Sequence, residues 1–192
     1  MQEDQIDLLT VDEHTSQSYG PRTFFNAAYS DLTVAFACNF NTAGEILTEK
    51  ASKGKILQFP IDEHFDSMKA ARTLYRYVKD HNAKNLNIAG NGLHTFRLYG
   101  FDQKQVNKWV YETLKPVHTH FGIERIRSGG QTGADTAGAV AGIVLGIQTR
   151  LMYPKGYRQR LEDGMDIIQS QDEAKDTIIR YSEELRKDLS RG

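Results

Sequence analysis

The sequence predicts an α/β fold whose mostly parallel sheet is covered by helices on both faces. Short apolar segments typical of strands alternate with longer segments of helical periodicity, which is the pattern of successive strand–helix–strand units. The chain has 192 residues, of which 39% are hydrophobic and 26% are charged, as expected for one globular domain with a substantial core. No internal repeat, low-complexity tract or convincing linker divides it.

Five segments have the composition of strands. The segment LTVAFACNF, residues 32–40, consists mostly of apolar and β-favouring residues, which is typical of a strand buried on both faces. Pro60 closes the second predicted strand, since proline cannot continue a central ladder. The predicted strands cover residues 32–40, 55–62, 85–92, 124–130 and 148–154.

Helices are predicted between and after these strands. The first begins at Thr42, and Glu45 follows it at the spacing of a capping box. A later segment places Val106, Val110 and Leu114 on one helical stripe. The predicted helices cover residues 42–52, 66–81, 102–117, 135–145 and 172–189.

Residues 1–22 are predicted to be an N-terminal leader, and residues 23–192 to be the single domain. The leader is polar and is interrupted by Gly20-Pro21, so we expect a loose segment or a short edge element there. Its start is acidic and lacks the basic residues and the apolar run of a signal peptide.

Charge, cysteine content and hydropathy narrow the classes of function. The formal net charge is -1, from 24 Lys and Arg against 25 Asp and Glu, so nothing drives the whole chain toward nucleic acid or an anionic membrane. The single cysteine, Cys38, favours a reducing compartment. No stretch approaches the ~20 consecutive apolar residues of a membrane span. We expect a cytoplasmic protein that has no membrane or nucleic-acid partner.

The segment SGGQTGAD, residues 128–135, lies between a predicted strand and a predicted helix. Its glycines allow a sharp turn, and the helix start offers free N–H groups and the positive end of the helix dipole. We therefore predict an anion-binding loop, in which Asp135 caps the helix or contacts a ligand hydroxyl. The predicted loop ligands are Ser128, Gly129, Gly130, Gln131, Thr132 and Gly133. The alternative is that glycines serve only turns and helix packing, the role expected for Gly138 and Gly142.

Three further turns follow predicted strands and would lie at the same edge of the sheet. Their candidate ligands are Asn39, Asn41, Thr42 and Glu45 in the first turn, Gly90, Asn91 and His94 in the second, and Lys155, Arg158, Arg160, Glu162 and Asp163 in the third. Each turn also has a plainer interpretation, namely helix capping, a surface histidine and a solvated charged loop. The histidines are scattered and no Cys/His cluster has metal-ligand spacing, so we expect no metal site and no cofactor.

These motifs resemble those of a known family. The loop SGGQTGAD, a helix of small residues, LGI at 145–147 and YPKGYRQRLEDG at 153–164 are similar to the opening of the molybdenum carrier family. That family belongs to the SLOG superfamily of DprA- and Lonely Guy-related proteins. Its opening continues from the glycine loop to CPKG and EDG segments at closely matching spacing.

The first half of the chain resembles the second half of the same family. SDLT at 30–33, NTAG at 41–44 and LNIAG at 86–90 follow the family's order, so the chain resembles a circular permutant. Circular permutation is tolerated where the termini lie close together at the surface. NTAG departs from the glycine-rich GGT start of the family, and the PGGxGTxxE motif of Lonely Guy hydrolases is absent.

The resemblance implies a Rossmann-like, SLOG-type domain over residues 23–192. It also implies a pocket for a nucleotide or a nucleotide-derived phosphate metabolite, in a protein that senses or sequesters this ligand. The glycine loop would hold the phosphate, and Asn39 and Asn41 would line the facing turn. Lys155 and Arg158 would neutralise the ligand's charge.

Two alternative functions stay open. A nucleotide or N-glycoside hydrolase would use Glu45 or Asp135 as its catalytic carboxylate, to activate water or to stabilise a cationic sugar. An oxyanion carrier would instead hold inorganic molybdate. The charged last helix is expected either to cover the sheet or to support a homo-oligomer.

Overall fold

The computed structural model describes residues 7–191 and confirms the α/β prediction. The strands of its main sheet are β1 (Leu9–Glu13), β2 (Leu32–Ala37), β3 (Ile56–Pro60), β4 (Asn85–Gly90), β5 (Arg125–Ser128) and β6 (Gln148–Tyr153). Every neighbouring pair is parallel, in the order β1-β6-β5-β4-β2-β3. The short strands β7 (Gln159–Arg160) and β8 (Asp166–Ile167) form a separate antiparallel hairpin. This sheet is consistent with a Rossmann-like fold.

Helices cover both faces of the sheet. They are α1 (Tyr19–Ala28), α2 (Ala43–Ser52), α3 (Ser67–His81), α4 (Leu93–Leu98), α5 (Gln103–Phe121), α6 (Ala134–Leu145) and α7 (Gln171–Leu189). On one face α6 packs against the central strands and is flanked by α5 and α7, with α3 beside α5. On the other face α1 packs against α2. Within residues 7–191, no helix combines the length and the apolar composition that crossing a bilayer requires.

The five predicted strands are all present. β3 ends at Pro60 and β4 runs into its glycine turn, as predicted, whereas β2, β5 and β6 end earlier than predicted. β2 is buried along its whole length, as its apolar composition indicated. The residues that follow the strand ends form turns instead. Candidate ligands of the sequence analysis therefore lie in turns at the carboxyl edge of the sheet.

The sequence predicted that the domain begins at residue 23, but the main sheet already includes β1. β1 is an edge strand that pairs with β6, with Leu9 beside Thr149. The sequence predicted either a loose segment or a short edge element here, and the structure has the edge element. Residues 1–6 of the predicted leader lie outside the described residues. α1 then starts at Tyr19 and holds Pro21 in its first turn. The predicted break is wrong because a proline in the first turn removes only an N–H that has no intrahelical acceptor.

The helix predicted over residues 102–117 is longer in the structure. Asp102 and Gln105 form a capping box at its start, and the helix runs through Pro116 to Phe121. Burial of the neighbouring Leu114 offsets the backbone hydrogen bond that the proline removes. α4 and the β7–β8 hairpin were not predicted, because elements this short do not show a measurable hydrophobic period.

Helix α6 lies close to the sheet. A Cβ atom on Gly138 would lie 2.5 Å from the Cβ atom of Ile88 on β4, and one on Gly142 would contact Oγ1 of Thr149 on β6. The packing role predicted for these two glycines is confirmed. This packing fixes the start of α6, and with it the glycine loop after β5, against the sheet.

The chain changes direction in the sheet between β2 and β4. After β2 it continues outward to β3, whereas after β4 it continues to β5 and β6 on the opposite side. In open α/β sheets, ligands bind outside the carboxyl ends of the strands at such a switch point. The turns after β2, β4 and β5 are therefore the expected border of a ligand site.

Candidate functional site

A cavity of about 480 Å³ opens beyond the carboxyl end of β4, between the starts of α2 and α6 and the side of α1. Its volume falls within the roughly 300–1,000 Å³ of small-molecule sites. The polar residues that line it are Tyr19, Arg22, Thr23, Asn26, Thr42, Glu45, Thr48, Asn87, Asn91, His94, Thr95, Gln131, Thr132, Asp135 and Arg160. The cavity thus lies at the switch point of the sheet.

The structure brings only part of the predicted site together. The predicted residues that line the cavity are Thr42, Glu45, Gly90, Asn91, His94, Gly129, Gln131, Thr132, Asp135 and Arg160. Those that do not line it are Asn39, Asn41, Ser128, Gly130, Gly133, Lys155, Arg158, Glu162 and Asp163. Lys155 is exposed, and its backbone N–H donates to the carbonyl of Ser16.

Glu45 is a buried carboxylate in the wall of the cavity. Only 5% of the residue is exposed, and its Oε2 atom has no hydrogen-bond partner among residues 7–191. Burial raises the pKa of this carboxyl from 4.5 to about 7; the charge of Asp135 adds to the rise and the Asn91 side chain opposes it. A carboxyl with a pKa near neutrality exchanges a proton readily at physiological pH.

Glu45 is held at this place by the start of α2. Oγ1 of Thr42 accepts the Glu45 N–H at 3.3 Å, as the predicted cap requires. The Glu45 side chain lines the cavity instead of completing a capping box with the Thr42 backbone. The carboxylate is therefore available to a ligand.

Asp135, the other predicted catalytic carboxylate, is part of a buried ion pair. Its Oδ2 atom lies 3.2 Å from Nη1 of Arg22 and also accepts the Gln131 N–H at 3.1 Å. Burial raises the pKa of Asp135, while the charge of Arg22 and the hydrogen bond from Gln131 lower it. Because its oxygen is already engaged, Asp135 is better suited to hold Arg22 than to transfer protons.

Several N–H groups of the glycine loop have acceptors within the protein. The Gln131 N–H donates to Asp135, the Gly133 N–H donates to Oε1 of Gln103 at 2.6 Å, and the Ala134 N–H donates to the carbonyl of Asn91 at 3.0 Å. These donors are not free for a phosphate. Anion binding by this loop stays a prediction.

Two of the loop glycines are required by close contacts. A Cβ atom on Gly129 would collide with the guanidinium of Arg22. Gly130 has a φ of +76°, and a Cβ atom there would lie 2.5 Å from the ring of Tyr153. These contacts support the packing interpretation of both glycines.

The side chains of Gln131 and Thr132 join the loop to the β7–β8 hairpin. Gln131 accepts the Arg160 N–H at 2.8 Å and donates to the Arg158 carbonyl at 3.3 Å. Thr132 donates to the Arg160 carbonyl at 2.7 Å. Both side chains therefore position the backbone of the hairpin.

The hairpin places Arg160 in the cavity lining and Arg158 next to it, over the ring of Tyr19, which also lines the cavity; we call this edge the cavity mouth. Arg158 and Arg160 each form an ion pair with Asp166, at 2.8 and 2.9 Å. Both guanidinium groups also lie over the ring of Tyr19, with 5.9 and 5.6 Å from the Cζ atoms to the ring centroid. Arg22 lies over the same ring at 5.5 Å.

Asn39, Asn41 and Ser128 do not line the cavity but form hydrogen bonds that support the turns around it. The Asn91 side chain accepts the Asn39 N–H at 2.9 Å and donates to the Asn39 carbonyl at 3.0 Å. The Asn41 N–H donates to the Asn39 side chain at 2.8 Å. Oγ of Ser128 donates to the Asp135 carbonyl at 2.9 Å. The Asn39–Asn91 bonds fix the turns after β2 and β4 relative to each other, and the Ser128 bond fixes the start of α6 to the end of β5.

The contribution of α1 to the cavity was not predicted from the sequence. Tyr19, Arg22 and Asn26 all line the cavity, yet the first two lie in the predicted leader. The signal that could have found them is the helix start itself, with Ser18 as the N-cap and Pro21 within the first turn.

Cys38 does not line the cavity. Burial raises the pKa of the half-buried Cys38 to about 11, so its thiol stays protonated at neutral pH. Within the described part of the chain, no three His, Cys, Asp or Glu residues are grouped so that they could hold a metal ion.

The fold and the cavity together define the class: an α/β protein with a parallel sheet and a ligand-sized cavity at the switch point of that sheet. Neither the protein-family models nor the curated proteins include a match to this chain. The resemblance to the SLOG superfamily therefore rests on the quoted motifs.

Proposed function

We propose that this protein binds a nucleotide or a nucleotide-derived metabolite in the cavity between α1 and α2. The observation that carries this proposal is the Glu45 carboxylate, which lies buried in a ligand-sized cavity and has an unpaired Oε2 within the described residues. Buried polar atoms are nearly always paired in native proteins. A ligand hydroxyl or amino group would supply the missing donor.

A second unpaired acceptor in the cavity supports a ligand rich in hydroxyl groups. Asn26 donates through Nδ2 to the Ser128 carbonyl at 3.0 Å, while its Oδ1 is buried and has no partner among residues 7–191. Glu45 and Asn26 therefore both need hydrogen-bond donors. The adjacent hydroxyl groups of a ribose are donors of this kind.

The distribution of charge also fits a nucleotide. The carboxylates of Glu45 and Asp135 lie in the cavity wall, and Arg160 lines the same cavity on the hairpin side. A nucleotide has an uncharged nucleoside part and an anionic phosphate end. We propose that its nucleoside part lies against Glu45, away from the phosphate.

Molybdate carriage has less support. An inorganic oxyanion in this cavity would face the carboxylate of Glu45, and the Arg22–Asp135 pair adds no net positive charge to hold it. Like charges at short range destabilise one another. We therefore place the oxyanion carrier below the nucleotide-binding proposal.

The second candidate function is hydrolysis of an N-glycosidic bond. The specific observation in its favour is the pKa of Glu45, which burial raises to about 7. In this reaction the Glu45 carboxylate would accept a proton from water as the water oxygen bonds to the sugar carbon. The bond from that carbon to the base nitrogen would break, and the departing base would take up a proton from Glu45 or solvent. Glu45 is the better candidate for this role, because Oδ2 of Asp135 is engaged by Arg22.

Calorimetric titration with nucleoside 5′-monophosphates, nucleosides and molybdate tests the binding proposal. Glu45→Ala removes the unpaired carboxylate and should weaken nucleotide binding by about tenfold. Glu49→Ala lies on the exposed side of the same helix and is the matched control, with unchanged affinity. Equal affinity in both variants, or binding of molybdate alone, would contradict the proposal.

A chromatographic assay for free base released from the nucleotide distinguishes a hydrolase from a binding protein. Glu45→Gln keeps the shape of the side chain but removes its proton-transfer capacity. A hydrolase would release base in the wild type and lose that activity in Glu45→Gln while still binding the nucleotide. A binding protein would release no base in either form.

A further inference from the structure

The geometry points to a phosphate subsite at the cavity mouth, formed by Arg158 and Arg160 of the hairpin, with Asp166 as the carboxylate that the phosphate displaces. This inference rests on the proposed function, because it assigns the anionic end of the same ligand. It differs from the leading sequence prediction, which placed the phosphate on the glycine loop, listed Arg160 only among the candidates of the third turn and gave Asp166 no role.

The hairpin has an imbalance of charge. Arg158 and Arg160 share the single carboxylate of Asp166. The neighbouring Glu162 is paired with Arg97 at 2.7 Å. Within residues 7–191, no other carboxylate forms an ion pair with either hairpin arginine. The cluster therefore has one positive charge more than its counter-ion neutralises.

The Tyr19 ring orients the two cations. Both guanidinium groups lie over the Tyr19 ring, and the side chains of Arg158 and Arg160 are 40% and 52% exposed. The ring restricts their orientation without using their N–H donors. Guanidinium groups bind phosphate oxygens through paired N–H donors, and a restricted group loses less entropy on binding.

The backbone that carries Arg160 is held in place. Its N–H donates to Gln131 at 2.8 Å and its carbonyl accepts from Thr132 at 2.7 Å. The side chain can therefore exchange Asp166 for a ligand while the backbone stays in place. In this view the polar residues of the glycine loop position the hairpin and do not bind the phosphate themselves.

Asp166 competes with the ligand. The Asp166 side chain is only 14% exposed and occupies N–H donors of both arginines. A phosphate has more charge than a carboxylate and displaces it from the exposed side of the cluster. Replacing Asp166 with asparagine removes the competing charge, so phosphate affinity should increase.

Calorimetry with paired probes, adenosine and adenosine 5′-monophosphate, tests this subsite. In Arg160→Gln, affinity for the monophosphate should fall by about tenfold while affinity for adenosine stays within about twofold. In Asp166→Asn, affinity for the monophosphate should rise by about threefold. Arg72→Gln, at an exposed position on α3, is the control and should change neither.

An Arg160→Gln variant that keeps the full preference for the monophosphate would overturn the inference, and so would weaker monophosphate binding in Asp166→Asn. Inorganic pyrophosphate separates this failure from failure of the proposed function. If adenosine does not bind but pyrophosphate stabilises the wild type and not Arg160→Gln, the subsite holds and the nucleotide proposal fails. Pyrophosphate that stabilises neither form, or both equally, overturns the subsite.

Discussion

The Nη1 atom of Arg22 lies 3.2 Å from the Oδ2 atom of Asp135, and this ion pair connects α1 to the glycine loop across 113 residues of sequence. Both residues are buried, with 8% and 6% of their surface exposed. Gly129 has no side chain because the guanidinium occupies that space. The pair therefore couples the packing of α1 to the shape of the cavity.

Breaking this pair should destabilise the protein strongly. Arg22→Met leaves the Asp135 carboxylate buried without its counter-ion, which costs about 3–5 kcal/mol in free energy of unfolding. Urea denaturation followed by circular dichroism measures the change. Arg72→Met, at an exposed position of α3, should change it by less than about 0.5 kcal/mol. A similar small loss in Arg22→Met would show that the pair contributes little.

Glu45 should make the stability depend on pH in a defined direction. Its pKa is 4.5 when unperturbed and about 7 in the folded protein. Between these values the unfolded chain releases a proton that the folded protein retains, so the free energy of unfolding falls as the pH rises toward 7. Below 4.5 both states are protonated and this loss is absent.

Glu45→Gln isolates this effect. The variant should gain about 2 kcal/mol of stability relative to wild type between about pH 5 and about pH 8. Urea denaturation of both proteins at the two pH values gives the difference. A constant difference across the range would mean that Glu45 ionises normally in the folded state.

Gly130→Ala should separate a steric contact from backbone strain. The residue has a φ of +76° and its substituent would meet the Tyr153 ring, whereas Gly54 has a φ of +82° with open space around it. Gly54→Ala should therefore cost about 1 kcal/mol, and Gly130→Ala about 1–3 kcal/mol more. Thermal unfolding of both variants measures the costs. Equal costs would remove the ring contact as the reason for Gly130.

The bond from Thr132 to the hairpin should appear in hydrogen exchange. Thr132→Val removes the donor to the Arg160 carbonyl and the acceptor of the Leu93 N–H. The Leu161 amide, which donates within the hairpin, should then exchange about fivefold faster. Thr119→Val removes an exposed hydroxyl bond on α5 and should leave that rate unchanged. Unchanged exchange in both variants would mean that the loop does not hold the hairpin.

Local sequence patterns were sufficient to predict the central strands and most of the long helices. β2 has six buried residues in succession, and this produces an apolar run that is visible without a structure. β1 alternates between buried Leu9 and Val11 and more exposed neighbours over five residues. An edge strand that buries one face over only five residues shows little hydrophobic alternation. The sequence therefore left open whether this segment joins the sheet.

The site could be predicted only where its residues follow strand ends. Glu45 and Asp135 were found because each lies just inside a helix that begins after a strand. The pairing of Asp135 with Arg22 could not be predicted, because no periodicity relates residues that are 113 positions apart. For the same reason, the side-chain amide of Gln131 was predicted to bind a ligand, whereas in the structure it forms hydrogen bonds to the hairpin backbone.

A crystal structure of the protein with the nucleoside monophosphate that binds it best tests the central claim most directly. We expect a ligand at the switch point of the sheet, with a hydroxyl or amino group on Glu45 and the phosphate on Arg160. A nucleotide bound outside this cavity, or a cavity that stays empty at saturating nucleotide, would contradict the central claim.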